Sequence, residues 1–245
     1  MNISNKTVLI TGGGSGIGFA IAKTLSEKNN KVIITGRSEG RLKDAVAKLN
    51  NVSYFVADVT KEDDVTKLVD YLNKQHPALD VLINNAGQAF AYELNETPAY
   101  ENAIAEIQTN YLSVIRLTDK LLPSLKEKAG AAIVNVTSVL AIAPSHDLPT
   151  YSATKAALHS YTQALRYSLA NTRIKVFELY PPLVNTELSA GIGGENGIPP
   201  QQVADEFIQG VEADNFNIRV GFAAQFWDAH LKNPDEAFKA LNSRR

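Results

Sequence analysis

Short apolar runs recur along this chain, and between them apolar residues return every three or four positions. The runs are Val8 to Ile10, Lys31 to Thr35, Ser53 to Val56, Val81 to Ile83, Ala131 to Val136, Ile174 to Leu179 and a weaker Ile218 to Val220. They are continuous rather than alternating, so each strand buries both faces, which requires a parallel sheet with helices on each side. The helical periods fall at about 17–28, 39–49, 61–75, 99–128 and 152–170. Polar residues stand at their starts, with Ser38 before Glu39 and Thr60 three positions ahead of Asp63. Strand and helix alternate throughout, which predicts an α/β chain with a doubly wound parallel sheet of about seven strands. One Gly/Pro-rich break, Ser189 to Pro200, reads as a mobile loop over a site.

A chain of 245 residues with 44% hydrophobic content can bury a full core and still be one domain, here residues 1–245. A net charge of −2 gives no electrostatic reason to expect nucleic acid or an anionic membrane as partner. The absence of cysteine excludes disulfides, thiolate metal sites and cysteine nucleophiles, and four scattered histidines predict no metal site. The N-terminus lacks an apolar signal region, and no stretch approaches the roughly 20 apolar residues of a membrane span. No integral membrane segment is expected, and the location reads as cytoplasmic. The ligand is then small, and hydroxyls, lysine, asparagine or carboxylates must carry the chemistry.

Those groups gather where a doubly wound sheet binds ligands, beyond the carboxyl ends of its strands. After the first run comes Thr11-Gly-Gly-Gly-Ser-Gly-Ile-Gly18, followed at once by the helical period of Ile17, Ile21 and Leu25. Glycine lets backbone approach a bulky ligand, and a helix start offers free N–H groups and positive dipole to an anion. The spacing Gly12-x-x-x-Gly16-x-Gly18 differs from G-x-G-x-x-G, so context rather than letter makes it a pyrophosphate turn of a Rossmann-like fold. An ordinary glycine-rich turn is the alternative. Later strands end in Gly36-Arg37, Asp58-Val59, Asn84-Asn85-Ala86-Gly87, Thr137-Ser138 and Pro181-Pro182. Tyr151 and Lys155 stand i, i+4 on one helix face, where an ammonium favours the phenolate and makes an acid/base candidate. Taken singly, that pair is a common helical accident, Ser138 a strand-end cap and Asn110 a helical polar residue bonding backbone.

In this order and spacing, Thr11-Gly-x-x-x-Gly-x-Gly18, Asn84-Asn-Ala-Gly87, Asn110, Ser138 and Tyr151-x-x-x-Lys155 resemble the single-domain branch of the short-chain dehydrogenases/reductases over about residues 5–190. Within that branch, Glu106-Ile-Gln-Thr-Asn110, Ala156-Ala-Leu-His-Ser-Tyr161 and Phe177-Glu-Leu-Tyr-Pro-Pro-Leu183 look most like the DltE-type oxidoreductases. The resemblance implies a catalytic set of Asn110, Ser138, Tyr151 and Lys155. In it Tyr151 gives its proton to a substrate carbonyl or takes it from the alcohol, and Ser138 holds the same oxygen. Lys155 would lower the phenol pKa and bind the nicotinamide ribose, while Asn110 would fix a water leading to solvent. The resemblance also implies Gly12, Ser15, Gly16, Ile17 and Gly18 at the phosphates, Asp58 and Val59 at the adenine, and Asn84, Ala86 and Gly87 on the adenosine side. Pro181, Val184 and Thr186 would close over the nicotinamide, with Pro182 where the family usually has a glycine whose conformation proline cannot adopt.

Gly36-Arg37 stands where NAD-preferring members carry an acidic residue, and a guanidinium suits a 2′-phosphate, so NADP(H) is expected over NAD(H). Arg41 reads as an assisting contact or a solvated charge. The candidate substrate wall, residues 88–92, 139–146 and 183–200, is mostly apolar and suits a small apolar carbonyl compound or secondary alcohol. His146 there is a substrate contact or a solvated loop residue. Excess apolar positions on the 99–128 and 152–170 helices predict a homodimer or homotetramer. Residues 222–245 read as a further helix that caps the substrate pocket, meets another subunit, touches lipid or packs on its own domain. The expected function is an oxidoreductase, with a non-catalytic NADP(H)-binding sensor or a sugar-nucleotide epimerase or dehydratase as alternatives.

Overall fold

The computed structural model describes residues 1–243. Strands β1 (Thr7–Thr11), β2 (Lys31–Gly36), β3 (Val52–Val56), β4 (Leu79–Asn84), β5 (Ala132–Val136), β6 (Lys175–Tyr180) and β7 (Asn217–Arg219) form one sheet, ordered β3-β2-β1-β4-β5-β6-β7. Every neighbouring pair is parallel. The order reverses between β1 and β4, which opens a crevice at the carboxyl ends of these two strands.

Helices α1 (Gly16–Ser26), α2 (Glu39–Val46), α3 (Glu62–Gln75), α4 (Tyr100–Ile107), α5 (Ser113–Lys126) and α6 (Pro149–Ser168) lie between strands β1 and β6. Helix α7 (Pro200–Glu212) precedes β7, and α8 (Phe222–Lys232) and α9 (Pro234–Asn242) follow it. The continuous apolar strands are explained by two cores. Val8 and Ile10 pack with Ile21 and Leu25 of α1 and Phe207 and Val211 of α7, while Leu9 between them packs with Leu68 and Leu72 of α3 and Leu117 and Leu121 of α5. Successive side chains of one strand thus enter opposite cores, which keeps most strand positions apolar.

Three expectations need correction. The 99–128 helix is interrupted by a π-helical turn at Gln108–Leu112, and that turn carries Asn110. Helix α7 was not anticipated, although Pro200 at its start and Val203, Phe207, Ile208 and Val211 along one stripe carry the signal. Within the Ser189 to Pro200 flap, 3₁₀ turns occupy Glu187–Ile192 and Gly194–Asn196, and the Ser189 hydroxyl donates to the Val184 carbonyl at 2.5 Å. At the helix starts, Ser38 accepts from Arg41 N as expected, whereas Thr60 bonds Asp58 instead of capping α3.

The C-terminal helices cover the turn after β5. Ala223, Phe226 and Ala237 pack with Val139, Ala143 and Tyr180 in a third, smaller cluster. Of the expected 222–245 segment, residues 244 and 245 lie outside the described residues. No helix among the described residues is long and apolar enough to cross a membrane.

Candidate active site

One cleft of about 1510 Å³ runs across the carboxyl ends of the strands, larger than the roughly 300–1,000 Å³ of a single small-ligand pocket. Its floor is the glycine turn. Gly12 has φ +66°, and a Cβ there would stand 2.9 Å from Ala86 Cα; at Gly18 a Cβ would collide with the Gly12 carbonyl oxygen. These positions accept only glycine, and they let α1 start directly against the turn. Ser15, the N-cap of α1, makes no side-chain cap bond, so the dipole end and first-turn amides serve an anion better than their own chain. Gly16 and Ile17 line the cleft beside Ser15, and Thr186 of the flap sits over Gly16. A cradle of this kind fits a pyrophosphate.

Arg37, Asp58, Val59, Ala86 and Gly87 continue the lining beyond β2, β3 and β4. Burial works to raise the Asp58 carboxyl, but the Thr60 hydroxyl and N–H and the Arg37 and Lys61 charges outweigh it and hold it below its ordinary value. Arg41 is not simply solvated: its Nη1 lies 2.7 Å from Glu187 Oε2, an exposed ion pair spanning from α2 to the flap.

Strand parity separates the two asparagines at the end of β4. Asn84 is buried, donating to Asn135 Oδ1 at 2.9 Å, and Asn135 donates in turn to Thr162 on α6. Asn85 Nδ2 donates to the Thr11 carbonyl at 2.9 Å, while Thr11 Oγ1 accepts from the Asn85 and Ala86 amides. Asn110 completes the support. Its Oδ1 accepts from Gln88 N at 2.8 Å, and its Nδ2 donates to the Gln88 carbonyl at 2.8 Å and to Thr154 Oγ1 at 3.0 Å. Gly18, Asn84 and Asn110 therefore stand behind the cleft, and the remaining expected residues line it.

At the centre lie Ser138, Tyr151 and Lys155. Ser138 follows β5, where its Oγ accepts from Leu140 N at 3.1 Å and bonds the Tyr151 phenol. Lys155, one turn along α6, donates to the Val136 carbonyl at 2.8 Å and stands 5.5 Å from the Tyr151 ring centroid. Burial lowers its ammonium pKa to about 8. The expected lowering of Tyr151 is reversed: burial pushes the phenol up to about 12, the Ser138 hydrogen bond opposes it, and the Glu106 charge adds to the rise. Tyr151 is thus a held proton, suited to donation. Pro181 and Val184 wall this end, with Pro181 O accepting from Val139 N at 3.0 Å.

The far end is closed by the two C-terminal helices, α8 and α9. Phe222, Leu241 and Asn242 line the cleft, and Asn242 Oδ1 accepts from His146 N at 2.7 Å and lies 2.9 Å from His146 Nδ1. Because the Asn242 NH₂ donates to the Pro144 and Phe238 carbonyls, its oxygen accepts and His146 Nδ1 is the donor. His146 Nε2 stands 2.8 Å from Asp147 Oδ1 and, with Glu93, forms a group within 4.8 Å. His146 is therefore an anchored residue rather than a solvated one.

The short chain dehydrogenase profile matches residues 6–196. The chain belongs to the short chain dehydrogenase family. This short chain dehydrogenase is 36% identical to the uncharacterized oxidoreductase DltE of Bacillus subtilis, over 100% of this chain and 99% of that one. An uncharacterized oxidoreductase of Staphylococcus saprophyticus is 31% identical over 86% of this chain and 93% of its own. Among solved structures, a short chain dehydrogenase from Burkholderia cenocepacia in complex with NADP superposes with a TM-score of 0.88 at 25% identity, covering 98% of this chain and 99% of that one. A short chain dehydrogenase/reductase from Burkholderia phymatum in complex with NAD, at 22% identity and TM-score 0.89, covers 100% of this chain and 98% of that one and shares the fold. The chain is accordingly an NAD(P)-dependent short-chain dehydrogenase/reductase.

Proposed function

We propose that this enzyme transfers a hydride between NADP(H) and the carbonyl or secondary alcohol of a small, mainly apolar substrate. It works as one dinucleotide-binding and catalytic domain over residues 1–245, in the cytoplasm, as a homodimer or homotetramer. The observation that carries the reading is that Ser138, Tyr151 and Lys155 open on the same cleft as the glycine cradle. Bound nicotinamide supplies the hydride. Tyr151 gives its proton to the substrate oxygen that Ser138 holds, and Lys155 supports the phenol and the ribose. Gly12, Ser15, Gly16 and Ile17 hold the phosphates, with Gly18 closing the turn. Asp58, Val59, Ala86 and Gly87 border the adenosine, and Pro181, Val184 and Thr186 border the nicotinamide. Asn84 and Asn110 serve the cofactor side from behind, by fixing β4 to β5 and Gln88 to α6.

Preference for NADP(H) rests on Arg37 at the cleft with Gly36, and no carboxylate, at the end of β2. Arg41 is already paired with Glu187, which leaves Arg37 as the main reader of a 2′-phosphate. Self-association is supported by Tyr100, Ile104 and Leu112, all exposed along the α4, π-turn and α5 run.

On the substrate side, Leu140, Leu183, Leu188, Ile192, Phe222 and Leu241 present apolar surface. Kinetics with paired neutral and phosphorylated ketones test the class: neutral apolar ketones are expected to be reduced faster, and a preference for the phosphorylated partners would overturn it. Asn242→Ala frees the His146 turn from its C-terminal anchor, so it is expected to raise substrate KM several-fold while leaving NADPH affinity unchanged. Steady-state kinetics beside a nucleotide titration check this, and an unchanged KM would remove α9 from the pocket.

A further inference from the structure

Glu106, on α4, is wholly buried and has no part in the reading above. One carboxylate oxygen accepts from the Phe90 amide at 2.8 Å and the other from the Thr150 hydroxyl at 2.5 Å. The Tyr92 hydroxyl lies 2.5 Å from the same Thr150 oxygen. The carboxylate therefore ties the segment after β4, where Tyr92 lines the cleft, to the first turn of α6, one residue before Tyr151. A buried charge costs free energy that an apolar residue would not, and removing one partner from it costs more. The hydrogen-bond partners of the carboxylate, Phe90 and Thr150, both lie outside the sheet.

We propose that Glu106 is a positioning residue of this site, fixing the substrate wall through Phe90 and Thr150, one residue before Tyr151. The inference rests on the oxidoreductase reading. Other titratable groups facing the cleft near Tyr151 are Lys155 on its own helix, Tyr92 and Glu93 after β4, and His146 and Asp147 before α6. Glu106 is the charge that acts on the Tyr151 phenol, and it acts in the same direction as burial.

Glu106→Gln separates the connections from the charge. Its amide oxygen can accept from Phe90 N while its NH₂ donates to Thr150, whose hydroxyl then turns to Tyr92, so the connections survive and the charge goes. Thr150→Val breaks the connection and leaves the carboxylate with the Phe90 amide.

The test is the pH profile of alcohol oxidation, which rises as Tyr151 loses its proton. Removing a neighbouring negative charge lowers the phenol pKa, so the rising limb in Glu106→Gln is expected to move to lower pH, with KM little changed. Thr150→Val is expected to raise KM several-fold. A Thr150→Val variant with the parental KM overturns this inference alone. A parent without turnover on any alcohol or ketone overturns the oxidoreductase reading and this inference with it.

Discussion

Tyr151→Phe is expected to lower turnover by about 10²- to 10⁴-fold, the usual contribution of a positioned general acid or base. NADPH affinity should be nearly unchanged. The substitution removes one oxygen from the centre of the cleft and leaves the ring, the glycine cradle and the Lys155 bond to Val136 in place. Burial holds the Tyr151 phenol at about 12, so in the parent it stays protonated across the neutral range. Carbonyl reduction should therefore be nearly flat with pH until strongly alkaline conditions, and alcohol oxidation should climb as pH rises. Turnover numbers beside nucleotide titrations check the substitution. A phenylalanine variant that keeps most of its turnover would mean that another group donates the proton.

The second large effect is on cofactor choice. A charge-assisted hydrogen bond to phosphate is worth about 1.5–3 kcal/mol, so Arg37→Ala is expected to weaken NADPH by about tenfold to a hundredfold. NADH lacks the 2′-phosphate and should lose little. The Arg41–Glu187 pair bounds this prediction, because a guanidinium already engaged at 2.7 Å must give up its carboxylate before it can substitute for Arg37. Both side chains are exposed, so that pair is weak and salt-sensitive. Kd values for both nucleotides in parent and variant decide the matter; equal losses would show that Arg37 does not read the phosphate.

The sheet was legible because burial on both faces leaves a one-dimensional trace: Val8, Leu9 and Ile10 are apolar in succession because they enter opposite cores. Tyr151 and Lys155 were legible for a similar reason, since a spacing of four along a helix is itself geometry. Glu106 lay in plain sight in the chain, but its role depends on Phe90 and Thr150, 16 and 44 residues away, which no local period encodes. Asn242 meets His146 across 96 residues, and only the folded chain brings them together. Asn84 and Asn85 are chemically identical, and the pleat alone decides that the first turns to Asn135 and the second to Thr11. The tyrosine expectation failed on burial, which raises the Tyr151 phenol by more than the Ser138 hydrogen bond lowers it, and the four-residue spacing to Lys155 does not report how deeply the phenol lies.

The account's central claim is tested most directly by titrating the purified protein with NADPH and with NADH by nicotinamide fluorescence, then adding small apolar ketones and aldehydes to the NADPH complex. The account predicts saturable NADPH binding at least about tenfold tighter than NADH, consistent with one charge-assisted phosphate contact, and loss of the nicotinamide signal on carbonyl addition. Binding without signal loss across a broad carbonyl panel would contradict the oxidoreductase reading, and failure to bind either nucleotide would contradict the assignment of the glycine cradle itself.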